Sequence, residues 1–173
     1  GNSDMYVIRI DNNGDTLWTR TFGGSQDDYA RYVFTDRDDN ITVVGSTNSY
    51  GSGGSDVYIV HLNPAGDTIW TKVYGTVNDD FGYSGDMYLD NGNGLSYAFA
   101  FTSLNPISGV QEACYFRGDS ASCAFIYDRF WFWYTWEPEI LDHMRMRKYA
   151  KGQYYVTGDI RSSSSSDPNV FIA

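Results

Sequence analysis

A segment of about 52 residues occurs twice in clear form near the start of the chain. Residues 3–10, SDMYVIRI, return as residues 55–62, SDVYIVHL, and residues 14–19, GDTLWT, return as residues 66–71, GDTIWT. Self-similarity at this period indicates supersecondary units that stack on one another and share a core. The repeat therefore constrains the fold more tightly than any single motif in the chain.

Each unit contains four segments with the pattern of short strands. In the best-defined unit they are residues 30–35, 41–45, 56–62 and 67–74, and the first two are separated by DRDDN at residues 36–40. β-branched runs and period-2 alternation indicate strands, whereas Asp, Asn, Gly and Pro between them are typical of tight turns. The sequence predicts an all-β fold made of four-stranded antiparallel units.

Later copies diverge but keep the pattern. Residues 95–101 take the place of a second strand, residues 153–159 match that strand again, and residues 167–173 begin another third strand. Residues 139–148 fit neither a helical nor a strand period well, and the repeat alignment favours a strand there.

The chain is predicted to open with two strands of one unit, to continue through two complete units and to end three strands into a fourth. We treat residues 1–173 as one repeat domain, with approximate units at residues 1–28, 29–75, 81–134 and 140–173.

Three motifs recur at fixed places in the unit and carry a family resemblance. They are GGSD at residues 53–56, NPAGD at residues 63–67, and FGGSQDDY at residues 22–29. Over residues 1 to about 87, the chain resembles the blades of bacterial surface β-propellers of the seven-bladed repeat and NHL-like kind. The resemblance implies sheets packed face to face as propeller blades, in a bacterial surface protein.

The number of units raises the question of how the sheet edges are covered. Propellers typically need about four to eight blades to close a ring, and the chain supplies about three. Unpaired edges promote association with other strands. We therefore expect either a fragment of a larger propeller or edges that pair with another chain.

The charge of the chain excludes two classes of partner. The formal net charge is −10 and the sequence pI is about 4.4, and Lys and Arg form no stripe. Phosphate backbones and anionic membrane surfaces would be repelled at long range. No apolar run approaches the roughly 20 residues that span a bilayer. We expect no nucleic-acid binding and no membrane insertion.

The two cysteines, Cys114 and Cys123, flank residues 115–122, which read as a strand end, a turn and a strand start. They could form a disulfide if their Cα atoms approach within about 7 Å; the alternative is two reduced, half-buried thiols. The acidic composition, rich in Tyr, Ser and Gly, is typical of an extracellular or cell-surface protein, where disulfides persist.

The aromatic run FWFWYTW at residues 130–136 departs most from the repeat. In a strand, Trp131 and Trp133 would face one way and Trp136 the other. Exposed aromatic faces could bind sugar rings or a partner's side chains, which makes these three tryptophans the candidate ligand-binding residues. The alternative is that the strand is apolar on both faces because it packs between neighbouring units.

Carboxylates follow the aromatic run at Glu137, Glu139 and Asp142. A glycosidase needs two carboxylates across the scissile bond, but spacing along one chain does not bring two of them into a cleft, and Pro138 interrupts the strand. Solvation in a loop is the alternative. We predict no catalytic set.

The sequence also predicts no metal or cofactor. His61 and His143 lack metal-ligand spacing, and His61 stands where Arg9 stands in the previous copy, which predicts a strand surface position. The oxygen-rich turn at residues 36–40 lacks the ligand order of an EF-hand. Turn formation explains it without calcium.

The repeat also predicts structural residues. The acidic pairs at residues 27–28 and 79–80 recur in register and are expected to bond the backbone of an inter-unit loop. Core positions are expected at Tyr6, Ile8, Trp18, Val33, Val43, Tyr58, Val60, Trp70 and Tyr155.

The predicted function is a non-enzymatic binding or scaffold module of a secreted or cell-surface bacterial protein. A protein or glycan partner would be met on loop faces such as residues 48–54 and 159–168. Two alternatives remain open: a glycan-cleaving enzyme that uses the carboxylates beside the tryptophans, and a structural spacer of an adhesin-like chain.

Overall fold

The computed structural model of the chain describes residues 1, 3–89, 95–104, 111–119, 125–129, 139–150, 153–162 and 169–172, and these form thirteen β-strands. The strands are β1 (Met5–Ile10), β2 (Thr16–Phe22), β3 (Asp28–Thr35), β4 (Ile41–Thr47), β5 (Asp56–Leu62), β6 (Thr68–Tyr74), β7 (Asp80–Leu89), β8 (Leu95–Leu104), β9 (Gln111–Asp119), β10 (Phe125–Arg129), β11 (Glu139–Ala150), β12 (Gln153–Ser162) and β13 (Asn169–Ile172). Across these ranges there is no helix, and so none that could cross a membrane.

The strands form four antiparallel sheets in which hydrogen-bonded neighbours follow chain order. Sheet I contains β1–β2, sheet II contains β3–β6, sheet III contains β7–β10 and sheet IV contains β11–β13. The predicted sequence of two strands, two complete four-stranded units and three strands is confirmed. The strand predicted at residues 139–148 is also confirmed, as β11.

In the turns between strands, Asp or Asn side chains accept hydrogen bonds from backbone amides that follow them in the chain. Asp36 Oδ1 accepts hydrogen bonds from the amides of Asp38 and Asn40, each 2.8 Å long. Asp11 and Asn63 likewise accept hydrogen bonds from the backbone amides two and four residues further along the chain. These are Asx turns, and the predicted role of residues 36–40 as a turn is confirmed.

Sheet II has a hydrophobic cluster on each face. On one face, buried side chains of β4 and β5 pack against β8 of sheet III. Burying one such side chain contributes about 1.5–3 kcal/mol. The members of this cluster are Val44, Val57, Ile59, Tyr97, Phe99 and Phe101, with Tyr32, Phe34, Trp70 and Tyr74 at its margin.

The opposite face of sheet II packs against sheet I. There, Met5 of β1 joins side chains of β4 and β5 in a second buried cluster. Because both faces are covered, every residue of β4 and β5 is buried. The cluster consists of Met5, Ile41, Val43, Tyr58, Val60 and Leu62, with Val7, Trp18, Phe22 and Val73 beside it.

The predicted core is only partly confirmed. Val43, Tyr58 and Val60 are buried, and Trp18 and Trp70 are half-buried at the cluster margins. Burial was wrongly predicted for three other residues, because β1 and β3 lack covering strands on one side within the described part of the chain. These exposed residues are Tyr6, Ile8 and Val33. Tyr155 lies on β12, and its predicted burial stays a prediction.

The surface position predicted for His61 is wrong, because this residue is buried. Its ring stacks on Trp70, with the ring centroids 4.9 Å apart, and its Nδ1 lies 2.9 Å from Thr42 Oγ1. Tyr97 of sheet III approaches the ring edge-on. Burial lowers the pKa of His61 because the charged ring would lose its hydration, and the negative charge of Asp36 acts in the opposite direction.

Gly45 of β4 lies where the strands of sheet II are packed too closely for a side chain. A Cβ at this position would lie 1.9 Å from the carbonyl oxygen of Tyr29 and 2.7 Å from Cε of Met5.

We expect Gly45→Ala to lower the free energy of unfolding by about 1–3 kcal/mol, because the backbone of β3 and the core around Met5 must shift. Chemical denaturation measures this. The exposed control Thr19→Ala should change stability by less than about 0.5 kcal/mol, and equal stability of both variants would contradict the packing described.

Candidate binding site

The same hydrogen-bonded joint links consecutive sheets at two points of the chain. At the first joint, the Ser3 amide donates to Asp27 Oδ1 over 3.0 Å, and the Asp28 amide donates to the Ser3 carbonyl over 2.8 Å. Ser55 and residues 79–80 form the same pair of bonds 52 positions later. The predicted role of the two acidic pairs in bonding an inter-unit loop is confirmed.

Buried carboxylates accompany each joint. Asp28, Asp56 and Asp80 are buried, and in each the Oδ1 atom has no hydrogen-bond partner. A Cβ on Gly75 would lie 1.7 Å from Asp56 Oδ1 and 3.0 Å from Asp80 Oδ2. Only glycine leaves room for the two carboxyl groups to approach each other here.

The pKa of Asp56 is raised above its ordinary value of 3.8, primarily because burial disfavours the charged form. A hydrogen bond from the Ser52 amide works against this shift, whereas the charges of Asp80 and Asp79 add to it. The surroundings of Asp56 therefore disfavour its charged form relative to that of an exposed aspartate.

A separate feature, an apolar groove, lies between β1 of sheet I and β3 of sheet II. Its cavity volume is about 650 Å³, and its walls come from β1, β3 and the start of β4. Ile41 and Val43 line the groove and also belong to the cluster buried between sheets I and II. The groove is thus continuous with the interface between the two sheets.

Comparison of β1 with its copy β5 shows why the groove is open. Tyr6 is 59% exposed and Ile8 is 49% exposed, whereas their counterparts Tyr58 and Val60 are 6% and 0% exposed. Tyr58 and Val60 are covered by sheet I, whereas no described sheet covers the corresponding face of β1. The groove itself is open because β1 pairs only with β2 among the described strands, whereas β5 pairs with both β4 and β6.

The opposite wall of the groove is the uncovered face of β3. Val33 is 56% exposed there, and the neighbouring Ala30 and Arg31 are exposed as well. At the corresponding positions of β7, Gly82, Tyr83 and Gly85 are buried. β3 is therefore covered on one face only, the face that carries Tyr32 and Phe34 against sheet III.

Sheet I is held firmly although it has only two described strands. The Trp18 indole N–H donates to the Pro64 carbonyl over 3.1 Å, and Arg9 donates to the same oxygen. Arg20 Nε donates to the Gly66 carbonyl over 2.9 Å. These side chains of β1 and β2 hydrogen-bond to the turn between β5 and β6, and the bonds hold β1 in place beside the groove.

The chemistry of the groove suits binding better than catalysis. Its charged side chains are Arg9, Arg31 and Asp39. Arg9 is bonded to the turn of sheet II, and the Arg31 guanidinium lies 5.3 Å from the ring centroid of Tyr83. The remaining surface is mostly apolar, next to a strand edge that can pair with another strand. Sequence reasoning missed the groove because Val33, which lines it, was predicted to be a core residue.

The polar groups of one predicted binding loop, residues 48–54, are used inside the protein. Ser49 Oγ donates to Asp28 Oδ2 over 2.7 Å, and the Tyr50 hydroxyl donates to the Gly23 carbonyl over 2.6 Å. The loop thereby belongs to the joint between sheets I and II. In the other predicted loop face, residues 159–162 lie on β12, and residues 163–168 lie outside the described residues.

The predicted tryptophans, Trp131, Trp133 and Trp136, lie outside the described residues, as does Glu137. Their ligand-binding and catalytic roles stay predictions. Glu139 and Asp142 lie on β11, where they pair with Ser162 and Asp159 of β12.

The predicted disulfide is likewise untested. Cys114 lies on β9 opposite Arg129 of β10, and Cys123 lies outside the described residues.

Comparison with known proteins gives no family: no protein-family model matches the chain, and no curated protein matches it significantly. The resemblance to β-propeller repeats therefore rests on the motifs of the sequence and stays a prediction.

The buried position of Asp56 predicts how the stability of the chain depends on pH. Since folding raises the pKa of Asp56, its contribution to stability is complete below the ordinary pKa of 3.8 and is lost as the pH rises through the folded-state pKa. Asp56→Asn stays neutral, so we expect its free energy of unfolding, relative to the native chain, to increase from about pH 4 to about pH 7. Denaturation at a series of pH values measures this difference.

The matched control is Asp15→Asn, which removes one charge from an exposed turn position. A difference between Asp56→Asn and the native chain that stays constant with pH would contradict the environment assigned to Asp56.

Proposed function

We propose that the chain is a non-enzymatic binding or scaffold module that holds a protein partner in the groove between β1 and β3. The supporting observation is the apolar wall of the groove on sheet II, where Val33 is 56% exposed and lies beside Ile41 and Val43. Contiguous exposed apolar surface bordered by polar groups marks interaction sites. Because sheet I is fixed by Trp18 and Arg20, the site is formed before the partner arrives.

A protein partner fits the groove better than a glycan. Sugar rings are recognised by polar groups that are free to hydrogen-bond, together with aromatic platforms. The groove is lined by aliphatic and aromatic side chains beside a strand edge. Its two arginines already contact Pro64 and Tyr83, and the Trp18 indole N–H already donates to the Pro64 carbonyl. Main-chain pairing at such an edge is a common way for proteins to recognise extended segments.

We further propose that the four sheets are blades of a β-propeller. Three features support this architecture: the sheets are antiparallel meanders in chain order, sheets II and III are four-stranded, and sheet II packs face to face between its neighbours. The recurrence of the joint at Ser3 and Ser55 gives successive sheets the same connection.

We assign the module to a secreted or cell-surface protein of a bacterium. The net charge of −10 and the high content of Tyr and Gly, 15 and 18 residues, support an extracellular setting. The repeat motifs that resemble surface β-propellers support the bacterial origin.

Val33→Asp tests the proposed function. A carboxylate on the exposed face of β3 inside the groove would be desolvated by any partner there, so capture of that partner should fall at least about tenfold. We would immobilise the chain, apply extracellular protein fractions and quantify the retained proteins by mass spectrometry. Leu17→Asp is the matched control, because Leu17 is an exposed aliphatic residue of β2 that does not line the groove.

Retention by the native chain and by Leu17→Asp, but not by Val33→Asp, is the expected result. Equal retention by all three proteins would overturn the assignment of the groove. Hydrolysis of glycans by the purified chain would overturn the non-enzymatic role.

A further inference from the structure

We propose that His61 is an acid-sensitive latch between sheets II and III. Its neutral ring holds the two sheets together at the end of their interface farthest from the joint at Ser55, and a proton on the ring opens that end. His61 lies on the face of sheet II that packs against sheet III, whereas the groove lies on the opposite face. The latch therefore goes beyond the proposed function and does not rest on it.

The His61 ring lies between side chains of two sheets. Within sheet II it stacks on Trp70, with 4.9 Å between ring centroids, and its Nδ1 lies 2.9 Å from Thr42 Oγ1. The Tyr97 ring of sheet III approaches it to 5.5 Å between centroids, and the Tyr97 hydroxyl lies 3.5 Å from Nε2. Trp70 and Tyr97 also meet edge to face at 5.9 Å. Three rings thus join the two sheets at one place.

This ring contact lies far from the joint that links the same two sheets. His61 is six residues beyond Ser55 along β5, which is roughly 20 Å in an extended strand. In sheet III, Asp80 begins β7, whereas Tyr97 lies opposite Met87, seven residues further along β7. Both sheets therefore place the ring contact and the joint at opposite ends of the interface.

Hydrogen bonds between the sheets hold the joint end. The Ser55 amide donates to Asp79 Oδ1 over 2.9 Å, and the Asp80 amide donates to the Ser55 carbonyl over 2.6 Å. The Gly82 amide donates to the buried Ser46 hydroxyl over 3.2 Å. The donors are backbone amides, which do not titrate, so a charge on the latch leaves these bonds intact. They form the hinge about which the far end opens.

A charge on the His61 ring would be buried among apolar groups. The residue is 4% exposed, and the rings of Phe34 and Phe99 lie next to Tyr97, with centroids 6.4 and 6.1 Å from the Tyr97 centroid. The face of Trp70 attracts a cation but does not replace the water that a charged ring loses. A buried charge without close pairing is costly, and opening of the interface removes this cost by admitting water.

The charged groups nearest the ring act in opposite directions. The negative charge of Asp36, in the turn between β3 and β4, favours a charged ring. Lys72, on the face of β6 that is turned toward sheet III, disfavours it by repulsion. The hydroxyls of Thr42 and Tyr97 are uncharged. Burial is the larger effect, and it lowers the pKa of His61.

The sign of this shift makes the latch sensitive to acid. Since folding lowers the pKa of His61, the contribution of the neutral ring is complete above the ordinary value of 6.5 and is lost as the pH falls through the folded-state pKa. Asp56, beside the joint, has a raised pKa and loses its contribution as the pH rises. The two ends of the interface therefore respond to pH in opposite directions.

The first experiment measures the protonation of His61 in the full chain. NMR of the ring C–H groups follows both histidines, His61 and His143, and His143→Gln identifies the His61 signal. The expected result is a lower pKa of His61 in the folded chain than in the same chain in denaturant. A folded-state pKa equal to or above that value would overturn the latch, as would a ring that stays neutral down to the pH at which the chain unfolds.

The second experiment determines whether the far end opens alone. Cross-relaxation between the ring protons of Trp70 and Tyr97 reports on the latch, and hydrogen exchange of the Asp80 amide, corrected for its intrinsic pH dependence, reports on the joint. Below the measured pKa of His61, the cross-relaxation should fall at least about threefold, whereas the protection of the Asp80 amide should change less than about twofold. Loss of both together, or of neither, contradicts an interface that opens at one end.

His61→Gln is the matched control, because its amide stays neutral and can still bond to Thr42. At the same acidic pH, this variant should keep the contact between Trp70 and Tyr97. Its melting temperature should lie below that of the native chain at pH 7, and the gap should narrow by at least about 2 °C as the pH falls. Acid loss of the ring contact in both proteins would assign the change to other groups and reject the latch. The titration of the native chain decides the question by itself if the variant does not fold.

Discussion

Face-to-face packing between successive sheets is the interaction on which this structure depends. A four-stranded antiparallel sheet cannot bury its own faces, so its hydrophobic side chains are covered only by neighbouring sheets. Sheet II has neighbours on both faces, which is why β4 and β5 are buried from end to end. β1, which has the same pattern of residue types as β5, is exposed on the face that no described sheet covers.

This dependence explains what the sequence could predict. The 52-residue repeat, read with strand periodicity and turn residues, was sufficient for the all-β class, the order of strands and their grouping into sheets of two, four, four and three. Those features depend on local pattern and on internal similarity. The recurrence of Asp27 and Asp79 in register was likewise sufficient to predict that they bond the backbone of a joint.

The failures have a common physical cause. The repeat alignment assumes that equivalent residues have equivalent surroundings. This assumption fails for Tyr6, Ile8 and Val33, which lie on strand faces that no described strand covers. It also fails for His61, which packs against Trp70 and Tyr97. The groove was missed for the same reason, since its residues look like core residues. The signal that could have found it was the count of only two strands before the first complete unit.

The joint between sheets has a consequence for how such a chain can change in length. Ser3 and Ser55 occupy equivalent places, and each is bonded to an acidic pair at the same distance along the chain. Duplication or deletion of one whole period keeps every serine matched to its acidic pair, wherever the breakpoint falls. An insertion of any other length between a serine and its acidic pair would change their spacing, whereas an insertion elsewhere, such as in the turn at residues 36–40, leaves both joints intact. The joint therefore restricts changes of length only within the 24-residue interval that it spans.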